Sequence, residues 1–421
     1  MGISHTLANQ CEMCKKTSGG KPLSAGPPKS DLYFASYPIF ALGTDGQGLL
    51  ISGGGGGGKS YGVLNYLQAH VVIQDPSSRS LCVETIATMD TGTGTPIAID
   101  YMQGGLWACS LGNECMLFRF SDDSLTIEPL FRFKTEISGD PLHVTNFVRL
   151  FAQPNNGPVS VLTGGEDKSV RLWRLSIDSG SRKITQASLV CELPDHKAEV
   201  VDADWQPGGN QFLTCGKDGS VKVWNSFTQS LVCTIEPRSI DKKQSNAGPL
   251  SIRSALFVGQ NDVVVLCHHS RGPAFLMLYS MSNPGIPISA VTVSHSIATS
   301  MAGDATRSRV AVSQADGQKT VYAVPSLRLL HSSKKNCHQM PPGRTLFLFD
   351  NLVVSGSPDF SLSFFDPLRN RVGLLGWLVW LLLVLALAVF CMYHFVPEAR
   401  HAITVHVDSV VQQILHRGDE L

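Results

Sequence analysis

Gly53, Gly58, Lys59 and Ser60 fit the spacing G-x-x-x-x-G-K-[ST] inside the stretch ISGGGGGGKSYGVLN at 51–65. In a P-loop, glycine amides cradle phosphates, the lysine meets their charge and the hydroxyl holds Mg²⁺. That chemistry needs a strand before the loop and a helix after it, within a parallel sheet. GLLIS supplies a strand. YGVLNYLQAHVVIQ is ambiguous, because Gly62 would sit in the first helical turn at a cost of about 1 kcal/mol relative to alanine. The stretch then turns β-rich at HVVI. Ile97, Ala98, Ile99 and Asp100 could mimic the strand-borne magnesium aspartate, yet the alternating helices of a parallel sheet are missing. The residues therefore argue against a nucleotide cradle. Two readings remain for the glycines. One is a flexible insertion. The other is a run required by close backbone approach, positive φ, or facing carbonyls that hold a monovalent cation, since ordering six glycines carries a large entropy cost.

The elements around this loop read as strands. From residue 32 onward, short apolar runs alternate with Gly, Asp, Asn and Pro, which predicts all-β structure. The pattern repeats. VLTGGEDKSVRLW (161–173) and FLTCGKDGSVKVW (212–224) align without gaps, matching Thr163 with Thr214, Asp167 with Asp218 and Trp173 with Trp224. VVSGSPDFSLSFF (353–365) places Ser355, Asp359 and Phe365 at the same spacings, and VAVSQADGQKTVY (310–322) is a weaker copy. His143, His196, His295 and His338 lie upstream of these repeats. A His/Ser/Asp set suggests a catalytic triad, but its recurrence in successive units makes it structural, since a triad occurs once per site.

The repeats resemble the WD-repeat family. That resemblance implies blades of four antiparallel strands, with His, Ser/Thr, Asp and Trp hydrogen-bonded inside each. The implied fold is a seven-bladed WD-repeat β-propeller over 32–367, all-β. Its blades are expected near 38–75, 80–135, 143–190, 196–236, 250–290, 295–330 and 338–367. GLWACSLGNECMLFRF (105–120) supplies the middle strands of blade two, and the strand near Leu32–Ala35 closes the ring against the last blade.

Outside the repeats, composition sets limits. The chain has 421 residues and zero formal net charge, from 34 basic and 34 acidic residues. It thus lacks the basic footprint of a nucleic-acid binder. Eleven irregularly spaced cysteines point to reduced thiols and not to a disulfide framework. Residues 1–31 read as a disordered extension rich in Lys, Ser, Gly and Pro. It contains a myristoylation-like Met1-Gly2 with Thr6 and a lone Cys11/Cys14 pair. The polar start MGISHTLANQ lacks the apolar core of a signal peptide.

Val372 to Tyr393 runs 22 residues without a charge. As a helix it would span roughly 33 Å, enough for a hydrocarbon core of about 30 Å. Arg369 and Arg371 before it place the N-terminal side in the cytosol and the tail, 394–421, in a lumen. The tail ends Gly418-Asp419-Glu420-Leu421, close to the endoplasmic-reticulum retrieval signals.

LLISGGGG (49–56), GVLN (62–65), DLYFASYPIFAL (31–42), ACSLGNECMLFRF (108–120) and the C-terminal anchor together resemble the prolactin regulatory element-binding protein family. Its members are endoplasmic-reticulum exchange factors for the small GTPase that starts COPII coat assembly. The resemblance spans roughly 31–395. It implies that Asn65 corresponds to the family's catalytic asparagine. It also implies that Gly53, Gly54, Gly55, Gly56, Lys59, Ser60, Gly62 and Val63 belong to a protruding loop that meets the GTPase and holds a potassium ion on its backbone. The segment between the four glycines and Gly62 is about one residue longer than the family pattern. The activity implied is nucleotide exchange without covalent chemistry. The alternative is a membrane-anchored propeller scaffold without exchange activity.

Overall fold

A computed structural model describes residues 31–395, apart from 57–61, 77, 138–142, 154–156, 179–182, 240–249 and 350. Lys59, Ser60, Cys11, Cys14 and the terminal Gly-Asp-Glu-Leu lie outside the described residues. The chain divides into two compact units, Met1–Asp366 and Pro367–Leu421.

The first unit is a propeller of seven four-stranded antiparallel sheets. Strand β1 (Leu32–Phe34) comes first in the chain. Blade one is β2 (Ile39–Thr44), β3 (Leu49–Gly54), β4 (Asn65–Gln74) and β5 (Leu81–Gly92). Blade two is β6 (Pro96–Met102), β7 (Leu106–Leu111), β8 (Glu114–Ser121) and β9 (Thr126–Lys134). Blade three is β10 (Thr145–Ala152), β11 (Val159–Gly165), β12 (Val170–Ile177) and β13 (Ile184–Leu193). Blade four is β14 (Val200–Trp205), β15 (Gln211–Gly216), β16 (Val221–Asn225) and β17 (Leu231–Ile235). Blade five is β18 (Ser251–Val258), β19 (Asp262–His268), β20 (Ala274–Ser280) and β21 (Ser289–Ser294). Blade six is β22 (Ala298–Gly303), β23 (Arg309–Gln314), β24 (Lys319–Ala323) and β25 (Arg328–Ser332). Blade seven joins β26 (Arg344–Phe347), β27 (Val353–Gly356) and β28 (Ser361–Phe365) to β1. The expected closure is present: Leu32, Tyr33 and Phe34 pair with Ser363, Leu362 and Ser361.

The core lies between blades. Ile51 and Leu67 of blade one pack with Trp107 and Phe118 of blade two. Leu213 and Val223 of blade four pack with Phe257, Val265 and Met277 of blade five. A middle strand has a neighbouring blade on each face, so its burial is continuous. VSVLTGG of β11 is buried at every position. An outer strand such as β17 is buried only at Ile235, its last residue, and leaves Leu231 and Val232 exposed.

One expected boundary is corrected. Leu81–Gly92 does not open blade two. It pairs with β4 from Asn65↔Gly92 to Gln74↔Leu81 and is the outer strand of blade one. Blade two begins at Pro96. Alternation marks a strand but not its partner, which the turn at 75–80 decides here.

The second unit contains one described helix, α1 (Arg369–Phe395, 27 residues). Its side chains from Leu378 to Ala388, with Phe390 and Cys391, are exposed, and Arg369 at its start is half-buried. Among the described residues no helix is long and apolar enough to cross a membrane. Those side chains cover only part of the span expected over 372–393.

Candidate functional site

The glycine stretch connects β3 to β4, and these two strands are antiparallel neighbours. A strand, and no helix, follows the loop. The context a P-loop needs is therefore absent. Asp100, the supposed magnesium ligand, is half-buried on β6, lines the central channel and accepts the Leu150 N–H at 2.7 Å. Burial raises its carboxyl to about 6.

The loop's base is tightly closed. A Cβ on Gly53 would lie 2.7 Å from Pro96 and 2.8 Å from Leu67, and one on Gly56 would lie 2.7 Å from Val63. On Gly54 it would strike the Pro38 carbonyl, and on Gly55 the Asn65 side chain. Gly55 also has φ 146°, a conformation that side chains strongly disfavour. Its N–H donates to the Pro38 carbonyl at 3.0 Å. All four glycines are sterically required, so the described base is not a slack insertion. Beyond it lie residues 57–61. The chain returns through exposed Gly62 (φ 78°, open space around it) and partly buried Val63.

Asn65 opens β4 and is fully buried. Its Nδ2 donates to the Gly92 carbonyl at 2.9 Å, and its Oδ1 accepts from Thr95 Oγ1 at 3.1 Å. The amide thus fixes the loop's base to the crossing between blades one and two. Thr91 Oγ1 stiffens that crossing by donating to the Gly94 carbonyl at 2.7 Å. The described part of the loop presents backbone and no charged side chain. Among the described residues no group of three or more His, Cys, Asp or Glu could hold a metal ion.

The repeat's polar residues lie inside blades, as expected. In blade four His196 bonds Thr214 (2.9 Å) and Asp218 (3.0 Å), and Trp224 Nε1 donates to Thr214 at 3.0 Å. Burial pushes the Asp218 carboxyl up. Hydrogen bonds from His196, the Lys197 N–H and Ser220 outweigh it and hold the group well below the usual range. In blade seven His338 bonds Ser355 and Ser361, each at 2.7 Å, and Asp359 lies 3.6 Å from it. Burial lowers His338 to about 4.

Blade three departs from this pattern. Trp173 donates to Thr163 at 2.9 Å, and Arg171 pairs with Asp167 and also with Glu192. The guanidinium reaches both carboxylates from within the sheet, and His143 lines the small cavity beside Thr163 and Asp167. In blade six His295 is exposed, and Ser313 bonds Thr345 instead.

Sequence reading missed the equivalent set in blade one. Trp173 and Trp224 each lie two residues beyond the cross-strand partner of their threonine. Counted the same way from Ser52, whose partner is Gln68, the position is His70. His70 shares a hydrogen bond with Ser52 (2.8 Å) and another with Thr85 (2.9 Å). Tyr37 takes the place of the upstream histidine, 2.7 Å from Ser52. Burial lowers His70 to about 3. The glycine insertion stretches the Ser-to-His spacing and hides the register. Counting back from Gly54 across the hairpin would have recovered it.

Antiparallel order fixes which turns share an end of the ring. The glycine loop joins second and third strands, so it lies at the end where blades connect to one another. The central channel, about 470 Å³, is lined by the first strands and by turns of the opposite end, including Asp45 and Arg307. Its charges are mostly paired: Arg149 with Asp202, Arg307 with Asp204, and Arg344 Nη2 with the Asn146 carbonyl at 3.2 Å.

Residues 187–225, from β13 to the end of β16, match the family described as WD domain, G-beta repeat. The chain is 25% identical over 218 residues to the ribosome biogenesis protein YTM1 of Debaryomyces hansenii, covering 50% of this chain and 41% of that protein. It is 25% identical over 235 residues to the guanine nucleotide-exchange factor SEC12 of Rattus norvegicus, covering 46% of this chain and 52% of that protein. Protein SEH1 of Arabidopsis thaliana is 27% identical over 92 residues, which is 22% of this chain and 27% of that protein. The chain spans about half the length of the first two of these relatives.

Proposed function

We propose that this propeller is a guanine-nucleotide exchange factor for a small GTPase, acting through the glycine loop of blade one. The observation that carries the reading is the loop's base. Four glycines are required there, and a buried asparagine braces them; an interaction platform needs neither. The likeness to the exchange factor SEC12 supports it. The likeness to YTM1 supports only a propeller scaffold.

In this reading no bond to the nucleotide is made or broken. The loop tip, with Lys59 and Ser60, presses against the GTPase's nucleotide site and displaces the switch segments that hold phosphate and Mg²⁺. GDP leaves and GTP replaces it. By linkage the propeller must bind the nucleotide-free GTPase more tightly than the loaded form. The rigid base transmits the push instead of absorbing it. Asn65 is a positioning residue here, since its amide is bonded within the fold. A potassium ion held by loop carbonyls would stiffen the tip. The GTPase is proposed to be the one that initiates COPII coat assembly. The 372–393 helix is proposed to anchor the chain in the endoplasmic-reticulum membrane, with the propeller cytosolic and 394–421 luminal.

The test is GDP release from that GTPase, measured in potassium and then in sodium, with wild type, Asn65→Ala and Lys59→Ala. Asn65→Ala leaves the Gly92 carbonyl and the Thr95 hydroxyl without their partner, at about 1–3 kcal/mol. Its melting curve is therefore recorded alongside, at a temperature where it stays folded. Lys59→Ala changes only the tip. Accelerated release by wild type, reduced in both variants, is expected. No acceleration by wild type would leave the scaffold reading. Full activity of folded Asn65→Ala would remove its assigned role.

A further inference from the structure

The end of the propeller opposite the glycine loop carries a second surface. Turns between first and second strands, and between third and fourth, gather there. Hydrogen bonds tie these turns together: Ser226 N–H to the Asn210 carbonyl (3.0 Å) and Met281 N–H to the Asn261 carbonyl (2.8 Å). Gln206 Nε2 links blade four to blade five through the Gln260 carbonyl at 2.6 Å. The chain leaves the propeller at this same end. Phe365, the last residue of β28, pairs with Val353 at the start of β27. Asp366 is then pinned to blade one by Gln74 (2.7 Å) and Arg79 (2.6 Å). The 22-residue uncharged stretch begins six residues later, at Val372.

Across the ring from that exit, blades four and five present turns 206–210, 226–230, 259–261 and 281–288. None of them contains a charged residue. Three apolar side chains stand out from them: Phe227, Ile286 and Ile288, at 61%, 65% and 58% exposure. The corresponding turns of blades one and two carry Asp45, Asp75, Asp122 and Asp123. The apolar sector is therefore a local feature and not the general character of this end.

We propose that the blade four–five sector rests on the neutral lipid interface of the bilayer in which the chain is anchored. The inference depends on the anchor reading above. Aromatic and aliphatic tips on uncharged turns, with Asp262 set back at the start of β19, suit the boundary between headgroups and acyl chains. Covalent attachment at the same end holds the sector at high local concentration near the membrane, so weak apolar contact suffices. Exit and sector lie on opposite sides of the ring. These turns carry no cation, so the contact needs no anionic lipid and resists salt.

The test uses the full chain in phosphatidylcholine vesicles with a photoreactive residue at one position: Phe227→p-benzoylphenylalanine, Ile286→p-benzoylphenylalanine or Phe34→p-benzoylphenylalanine. Phe34 is 64% exposed at the other end of the ring. Illumination is expected to give lipid adducts at 227 and 286, unchanged in high salt, and none at 34. Absence of adducts at 227 and 286, in protein that stays in the membrane pellet after carbonate extraction, overturns the contact alone. Adducts between two copies of the chain overturn it in favour of self-association. Release by carbonate overturns the anchor and the contact together. Exchange activity plays no part in the readout, so failure of the exchange reading is seen separately.

Discussion

At the scale of residues, the polar groups inside the blades are sensitive to pH. His70 is fully buried, bonded to Ser52 and Thr85, and lowered to about 3 by burial. An unfolded histidine titrates near 6.5. The unfolded chain therefore takes up a proton that folded His70 refuses. Stability from this group is complete above about 6.5 and falls as pH drops from there toward 3. At pH 5 the loss from His70 is about 2 kcal/mol. His338, lowered to about 4, adds in the same direction. Asp100, raised to about 6, opposes them by binding its proton in the folded state as pH falls. Melting curves at pH 7 and pH 5 should show wild type losing more stability than His70→Gln. Equal losses would mean that His70 does not resist protonation. The repeated Thr, Asp and Trp were legible because they recur at fixed spacing. His70 was not, because its role depends on cross-strand register and the inserted loop breaks the count.

At the scale of elements, three residues close the ring. Tyr33 also reaches blade one, with its hydroxyl 2.6 Å from Thr85. Deleting 31–35 would leave β28 as an unpaired edge and withdraw Tyr33 from its cluster with Leu50 and Leu362. The expected outcome is a lower melting temperature and concentration-dependent association in size-exclusion chromatography. A monomer with unchanged melting would show that closure contributes little. The closing strand was legible because its apolar run stands apart from the polar extension. The boundary between blades one and two was not. Leu81–Gly92 reads as a good strand in either blade, and only its ladder with β4 assigns it.

At the scale of the whole molecule, blades meet around the channel through shared charges. Asp202 of blade four accepts from Arg149 of blade three and, at 2.6 Å, from Ser254 of blade five; Arg344 of blade seven approaches to 3.9 Å. Removing the carboxylate would take from Arg149, largely enclosed, its ion-pair partner and leave it only carbonyl bonds to Ala203 and Val148. Losing one member of a buried pair costs about 3–5 kcal/mol. Asp202→Ala should shift the urea midpoint downward with little change in slope. An unshifted midpoint would show that water replaces the carboxylate.

The sequence by itself determined the repeat, the all-β character and the non-P-loop character of the glycines. Each of these follows from local pattern: alternation, fixed spacing, and the want of helices. Only the tertiary structure decided that four glycines are packed too closely for any side chain, that Asn65 is spent bracing them, and that His70 stands in tryptophan's place. It also decided that the glycine loop and the chain's exit lie at opposite ends of the ring. These depend on which strands pair and in what register, and pairing is settled between residues far apart in the chain.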